Sequence, residues 1–569
     1  MQDLSSDVFD LIARARSVDG RPPDQPLVPY GSIRDLLEQQ TDRLEVKPFL
    51  VFYAEGAQRK EFTYREFYEE CCRTAMYLSA SGVRRGDRIA TMSFNHSDVI
   101  VQYFAAWLLG ASVVPLNPAE DDRYLGFILK DAAPVVILAR DEYVDRVKGL
   151  VGASAVHARI VQVGGRPSKG ASHLETEVLR YAPSVQTIPP PALTDEALLV
   201  YTSGTTGNPK GVVLDHYNLL VDAYAIAEWH QVSESETMMC VLPLHNVNGI
   251  VVTVMTPLYG GSTIVLNQKF HPDRFFERIS AERVAITSVV PTMLQYLLHA
   301  RLDMAAYKMV NFRHLICGAG PLTIDLASRF EQTFKIPIVH GYGLSETTCY
   351  SCFLPIDLDT HDHRAWLTKH GFPSIGMPLP SNEMAILGPE GNELNEGERG
   401  EIVIRGHNVM RRYLSNPEVN AETFKFGWFR SGDEGFFLFD DEGRKFFFIT
   451  GRIKEIIIRG GVNISPFEID EVLMHIPGVS AGIAVGFEND WYGEEVGALV
   501  TLRPDAELTE ERIIAYCRKH LPFAKSPKVV VIANEVPSTS IGTIQRSRCK
   551  ERFSSWKTVQ FKEFTPSEG

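Results

Sequence analysis

The chain has 569 residues, more than one hydrophobic core organises, so at least two domains are expected. Hydrophobic residues make up 44% and charged residues 22%, the composition of an ordinary globular protein. A net charge of −14 argues against a chain built to bind nucleic acid, so any anionic ligand has to be held by local groups.

In chain order, the first twenty residues lack a basic segment followed by an apolar run and a small-residue cleavage site, so no signal peptide and a cytosolic placement are expected. From about Thr63 helical and strand patterns alternate: helix over 67–81, strand over 88–93, helix over 99–110, then strands over 112–116 and 135–138. This alternation predicts an α/β body with parallel strands. A stretch rich in Gly, Ser and Pro, 151–195, leads into a strand over 197–201, and alternation resumes with strands over 283–290, 315–317 and 336–340. The most apolar stretch, 250–266, is broken by Pro257, Gly260 and Gly261, which predicts buried core segments and no membrane span.

After Gly371 the segments shorten, with strands over 383–387, 401–405 and 445–450, and a β-rich subdomain is expected. Beyond Gly451 the pattern reads helix 466–474, strands 479–486 and 496–502, helix 509–520 and strand 528–532. The expected organisation is a large body over 1–450 and a small mobile α+β domain over 451–569, with Thr450 to Lys454 as the hinge. Eight cysteines in so long a chain do not make a disulfide framework. The pairs Cys71–Cys72 and Cys349/Cys352 are read as buried thiols, and His361-Asp362-His363 as a solvated loop and not a metal site.

One run carries phosphate chemistry: Tyr201-Thr202-Ser203-Gly204-Thr205-Thr206-Gly207-Asn208-Pro209-Lys210-Gly211. Its glycines permit close backbone approach, its hydroxyls and amides cradle phosphate oxygens, and Lys210 adds positive charge. The spacing is not that of the common P-loop. A Gly/Ser/Thr surface loop is the bland alternative, and the order of the whole run after a strand speaks against it.

This run resembles the phosphate loop of the ANL superfamily, the acyl/aryl-CoA synthetases, adenylation domains and luciferases. Further segments fit from about Thr63 to Arg546: Thr63-Tyr64-Arg65-Glu66, Cys317-Gly318-Ala319-Gly320-Pro321-Leu322, Gly341-Tyr342-Gly343-Leu344-Ser345-Glu346, Ser431-Gly432-Asp433-Glu434-Gly435 and Gly451-Arg452-Ile453-Lys454. The resemblance implies roles. Gly318 to Pro321 would line the adenine and Tyr342 would stack on it; Ser345 would keep a hydroxyl near the α-phosphate. Glu346 would hold Mg²⁺, a hard cation suited to carboxylate and phosphate oxygens together. Asp433 would accept from both ribose hydroxyls, with Arg452 near ribose and phosphate. Gly341, Gly343, Leu344 and Ile449 complete the nucleotide set. Trp229, Asn246, Val247, Asn248, Cys317 and Thr347, with Gly341 and Gly343, form a mostly apolar acyl pocket, implying a hydrophobic monocarboxylate.

The family forms an acyl-AMP from acid and ATP, then swings its C-terminal domain so that a thiol, here CoA, displaces AMP. Lys454 matches the hinge, and Gly460 and Gly461 the face that approaches the pantetheine arm. Two positions depart from the family. Its closing motif, Pro-x-Thr-x-x-Gly-Lys-Ile, reads Pro537-Ser538-Thr539-Ser540-Ile541-Gly542-Thr543-Ile544, so Thr543 stands at the adenylation lysine. Loss of one such preorganised group typically costs about 3–4 kcal/mol. Pro243-Leu244-His245-Asn246 replaces the frequent Phe-His with His245-Asn246. The missing lysine is similar to the non-adenylating CoA ligase type of platensimycin and platencin biosynthesis. The expected activity is acyl-CoA formation from an acyl-AMP supplied by a separate adenylating enzyme. A complete ATP-dependent synthetase, a carrier-protein loader with a separate partner, a luciferase-like oxygenase and a nucleotide-binding pseudoenzyme are the alternatives.

Overall fold

The strand patterns assemble into three sheets among the residues that this computed structural model describes, 5–55, 58–167, 172–202, 209–504, 506–537 and 545–562. In the eight-stranded sheet, strands Ser112–Leu116, Arg88–Met92, Val136–Arg140 and Arg159–Val163 run parallel. Ser112–Leu116 also pairs in parallel with Glu196–Thr202. That strand turns back antiparallel into Lys210–Asp215, with Thr202 opposite Lys210. The phosphate-type run is therefore held at its neck by a strand pair.

The thirteen-stranded sheet joins two regions that the sequence separates. Strands Ile338–Tyr342, His314–Cys317, Ile286–Val289, Thr237–Cys240, Thr263–Asn267 and Pro48–Tyr53 are parallel neighbours. On the far side of Ile338–Tyr342 the pairing turns antiparallel through Cys352–Phe353, Ser374–Pro378, Lys445–Arg452, Phe429–Phe439, Gly400–Gly406 and Asn382–Leu387. The expected β-rich part is thus a continuation of the parallel sheet. Helices Ser97–Leu108 and His216–Trp229 are buried on nearly every face. That matches their apolar composition all round, because such a helix has no surface to offer water. Thr63 with Glu66 and Asp215 with Asn218 form reciprocal N-terminal caps that fix two helix starts.

The apolar run 250–266 resolves into a π-helix, Asn248–Met255, a short helix, Thr256–Gly260, and the strand Thr263–Asn267, nearly all buried. Among the described residues no helix is long and apolar enough to cross a membrane. All eight cysteines are buried free thiols, among them the four so read in the sequence, Cys71, Cys72, Cys349 and Cys352. His361-Asp362-His363 departs from the reading: it lies in the first turn of a helix, Thr360–Thr368, because Asp359 caps it by accepting from the Asp362 amide at 2.8 Å.

Strand Lys445–Arg452 runs on past residue 450, pairing Arg452 with Asp433, before a single turn, Ile453–Glu455. Beyond it a five-stranded sheet carries helices Pro466–Met474 and Glu510–His520 around a core of its own. This smaller unit touches the larger through Glu471, whose carboxylate accepts from the Ile324 and Asp325 amides at 3.2 Å each, and through Glu468, 3.0 Å from Arg399.

Candidate nucleotide and acyl site

Three sequence-distant segments converge beside the neck of the phosphate-type run. Glu346 is buried, and its Oε1 accepts from the Tyr413 phenol at 2.7 Å and from Thr202 Oγ1 at 3.4 Å. Lys210 lies over the Tyr413 ring, 5.1 Å from its centre. Burial, and then the positive charge of nearby Lys454, pull the Lys210 ammonium below its usual pKa. An anion beside it would relieve the second effect. Ser203 to Gly207 lie outside the described residues, as does Thr543.

Next to this cluster Tyr342 donates to Asp433 Oδ2 at 2.6 Å, and Arg452 Nε stands 3.4 Å from Asp433 Oδ1. Burial pushes the Asp433 carboxyl up, while Arg452 and the Tyr342 hydroxyl pull it back. Glu346 acts on Asp433 electrostatically as well, so the two carboxylates belong to one site. Ser431 Oγ accepts from the Asp433 amide at 3.0 Å and fixes the turn that presents the carboxylate. Ile449 is half-buried on the neighbouring strand opposite Gly435.

The glycines answer to packing. A Cβ on Gly318 would lie 2.4 Å from the Tyr350 hydroxyl, one on Gly341 2.2 Å from Phe353, and one on Gly343 1.8 Å from the Cys349 carbonyl oxygen. Their small size makes room for the chain's own groups before any base is considered. Ala319 adopts the left-handed conformation, and Gly320 meets only Pro291, at 3.5 Å. Pro321 is exposed beside them, and Leu344 and Ser345 are half-buried. Gly460 and Gly461 form the two-residue turn between Ile457–Arg459 and Val462–Ile464, where both adopt positive φ. Such a turn demands glycine by itself. Lys454 is exposed within the single turn after the long strand.

The residues expected from the sequence to line an acyl pocket are only partly apolar. Ser288 Oγ donates to Asn248 Oδ1 at 2.8 Å, and Asn248 Nδ2 donates to the Tyr350 hydroxyl at 3.2 Å, a buried polar chain. Cys317 is buried at the end of its strand, and Trp229 Nε1 donates to the Leu354 carbonyl at 3.0 Å. The Thr347 hydroxyl is spent on its own turn, accepting from the Leu344 amide. Asn246 and Val247 are half-buried in the turn that the Asn246 amide closes on Pro243. Both ring nitrogens of His245 are buried without a partner among the described residues, and burial lowers its pKa to about 4. Tyr413 and Tyr350, central here, lie outside every motif read in the sequence. Neither carries a local signal, because each is recruited through a long-range contact.

Residues 37–414 match the family described as AMP-binding enzyme, and residues 468–543 match the AMP-binding enzyme C-terminal domain. The chain is 31% identical to a feruloyl-CoA synthase of Amycolatopsis sp over 492 residues, covering 86% of this chain and 94% of that one. It is 29% identical to a long-chain-fatty-acid–CoA ligase of Bacillus subtilis (strain 168), covering 93% and 96%. Its fold superposes on ATP-bound MatB from Rhodopseudomonas palustris with a TM-score of 0.81, at 26% identity and covering 92% and 100%. With Asp433, Glu346 and Lys210 gathered at one place and both family segments matched, the chain belongs to the AMP-binding enzymes, the ANL superfamily of adenylate-forming acyl- and aryl-CoA ligases.

Proposed function

We propose that this chain makes an acyl-CoA from an acyl-adenylate and CoA, and that its capacity to form the adenylate from ATP is weak. The observation that carries the reading is Thr543 at the lysine position of an otherwise intact frame. The frame's ends are anchored. The Gln545 amide donates to the Pro537 carbonyl at 2.9 Å, and Arg546 is buried against Asp470 and 3.2 Å from Glu455. Thr543 itself lies outside the described residues, and its assignment to the lysine position rests on the sequence frame alone.

Three lysines of the C-terminal unit that lie near the frame in sequence are engaged. Lys525 bonds Glu468 at 2.5 Å, and Lys550 bonds Glu494 at 3.1 Å. Lys528 is buried, donating to the carbonyls of Phe523 and Ser526 at 2.7 and 2.6 Å. Recruiting any of them would break an existing partner, so the negative charge that rearranges during adenylation lacks its usual counter-ion.

The thiolation chemistry needs none of this. In this reading the Asp433 carboxylate takes the ribose hydroxyls, Lys210 neutralises the phosphate, and the remaining carboxylate oxygen of Glu346 faces it. Glu346 Oε2 has no hydrogen bond among the described residues, and such a donor fits Mg²⁺, which would supply charge neutralisation at the phosphate oxygens. Lys454 is the hinge between a body over 1–450 and a mobile domain over 451–569. The acyl group is a hydrophobic carboxylate, delivered as its adenylate by a separate adenylating enzyme in cytosolic biosynthesis of a secondary metabolite.

The test is a pair of reactions with the purified chain: candidate acid plus ATP and CoA, and synthetic acyl-AMP plus CoA. The reading expects acyl-CoA from the second and little from the first. Equal rates would return the chain to the complete ATP-dependent synthetases, and no product from either would favour a pseudoenzyme.

A further inference from the structure

Two opposite charges of the nucleotide cluster come from different sheets. Glu346 sits in the single turn, Ser345–Thr347, that follows Ile338–Tyr342 of the thirteen-stranded sheet. Lys210 opens the strand Lys210–Asp215 of the eight-stranded sheet. Tyr413 touches both. Its hydroxyl donates to Glu346 Oε1 at 2.7 Å, and the Lys210 ammonium lies 5.1 Å from the centre of its ring. The side chain is 6% exposed, so bulk water competes little with either contact. A phenol on a carboxylate makes a charge-assisted hydrogen bond, and the negative face of an aromatic ring attracts an ammonium.

The backbone around Tyr413 is stitched to the same two places. Arg412 and Tyr413 pair antiparallel with Val213 and Val212, and the Leu414 amide donates to the Gly211 carbonyl, next to Lys210, at 2.7 Å. On the other side the Met410 amide donates to the carbonyl of Glu346 itself at 2.8 Å. Asn420, 1% exposed, clasps the tyrosine: its Oδ1 accepts from the Tyr413 amide at 2.7 Å, and its Nδ2 donates to the Tyr413 carbonyl at 2.9 Å. Upstream, Asn408 Nδ2 donates to Asp222 Oδ1 and to the Tyr350 carbonyl at 2.9 Å each, and the Asn408 carbonyl accepts from Thr348 Oγ1 at 2.6 Å. The segment 408–414 is thus fastened along its length, and it presents the hydroxyl and the ring at fixed positions.

We propose that Tyr413 is a positioning residue that sets both charges of the phosphate site: its hydroxyl turns Glu346 so that Oε2 faces a divalent cation, and its ring seats the Lys210 ammonium for the phosphate. The proposal rests on the roles given above to Glu346 and Lys210. Oε1 is occupied by Tyr413 and, at 3.4 Å, by Thr202, so Oε2 is the carboxylate oxygen without a hydrogen bond among the described residues. Without the phenol the carboxylate is free to turn, and a hard cation loses an oriented oxygen. Without the ring the ammonium loses its seat but keeps its charge. Substitution therefore separates the two effects.

Calorimetric titration of the full chain with AMP, without Mg²⁺ and at a series of Mg²⁺ concentrations, tests this. Tyr413→Phe removes the hydroxyl and keeps the ring. It should leave Mg²⁺-free AMP affinity within about twofold of the parent, and raise about tenfold the Mg²⁺ concentration that gives half of the metal-dependent gain, as loss of a partner behind a metal ligand does. Tyr413→Leu removes hydroxyl and ring, and should also weaken Mg²⁺-free AMP binding about threefold. Should the leucine variant misfold, Tyr413→Phe decides the matter alone. A phenylalanine variant that matches the parent at every Mg²⁺ concentration overturns the proposal, as does one that loses affinity equally with and without Mg²⁺, the mark of a packing role. If AMP binding by the parent is absent or indifferent to Mg²⁺, the assignment of Glu346 has failed and the proposal falls with it. A parent that responds to Mg²⁺ beside a parent-like Tyr413→Phe places the fault with Tyr413 only.

Discussion

Tyr342 donates its phenol to the Asp433 carboxylate at 2.6 Å, joining the last parallel strand of the large sheet to the strand Phe429–Phe439, which pairs with the strand that leads to the proposed hinge. The bond holds the carboxylate, buried at 2% exposure, in one orientation. If Asp433 takes the ribose of AMP, Asp433→Ala weakens AMP binding by about 1.5–3 kcal/mol, the range for hydrogen bonds to a charged group. Titration calorimetry with AMP measures it, and an unchanged affinity would remove the role.

Lys454 follows directly on the strand that pairs Arg452 with Asp433, in a single turn of three residues. Proline there fixes φ and removes an amide donor, so the two units can no longer reorient freely. Lys454→Pro should slow acyl transfer from acyl-AMP to CoA by about 10²-fold, the cost of misplacing a reacting group, with AMP affinity kept. Parent-like transfer rates would show that the hinge lies elsewhere.

Arg546 is buried between Asp470 and Glu455 and also donates to the Ala484 carbonyl at 2.9 Å. Removing the cation leaves Asp470 buried and uncompensated. Arg546→Met is expected to destabilise the C-terminal unit by about 3–5 kcal/mol, and adding Asp470→Asn should recover part of that. Urea unfolding monitored at Trp491 and Trp556, which lie in that unit, reads both; a loss below about 1 kcal/mol would mean that the pair is dispensable.

Buried histidines, among them His216, His314 and His340, give the fold an acid limit. Burial lowers His216 and His340 from 6.5 to about 4, and His314 to about 3. The unfolded chain binds protons at these sites below pH 6.5 while the folded chain does not. Their neutral burial is therefore without penalty above that pH, and stability falls as pH drops toward 4. Each contributes roughly 1.4 kcal/mol of loss per pH unit in that window. Thermal unfolding between pH 7 and 5 should show a falling midpoint, less steep in His216→Asn; a flat profile would contradict the burial argument.

Much of this architecture is legible along the chain because its determinants are local. The strand Ser112–Leu116 and the helix Pro466–Met474 fall where their patterns put them. The π-helix Asn248–Met255 does not, since an apolar run without polar punctuation has no period from which to choose a helix type. The site divides in the same way. Asp433 and Glu346 stand in ordered motifs, whereas Tyr413 reaches Glu346 across 67 residues. Contacts of that kind leave no trace in sequence spacing. Glycines mislead in the other direction: Gly318 and Gly341 suit a bound base, yet Tyr350 and Phe353 already require them.

The central claim is that Thr543 separates the two half-reactions, and the most direct measurement is the ratio of ATP–pyrophosphate exchange to acyl-AMP thiolysis in the parent chain and in Thr543→Lys. Restoring one preorganised cation should raise that ratio by about 10²–10³, chiefly through exchange, with thiolysis nearly constant. Robust exchange by the parent, or a ratio indifferent to the lysine, would contradict the account.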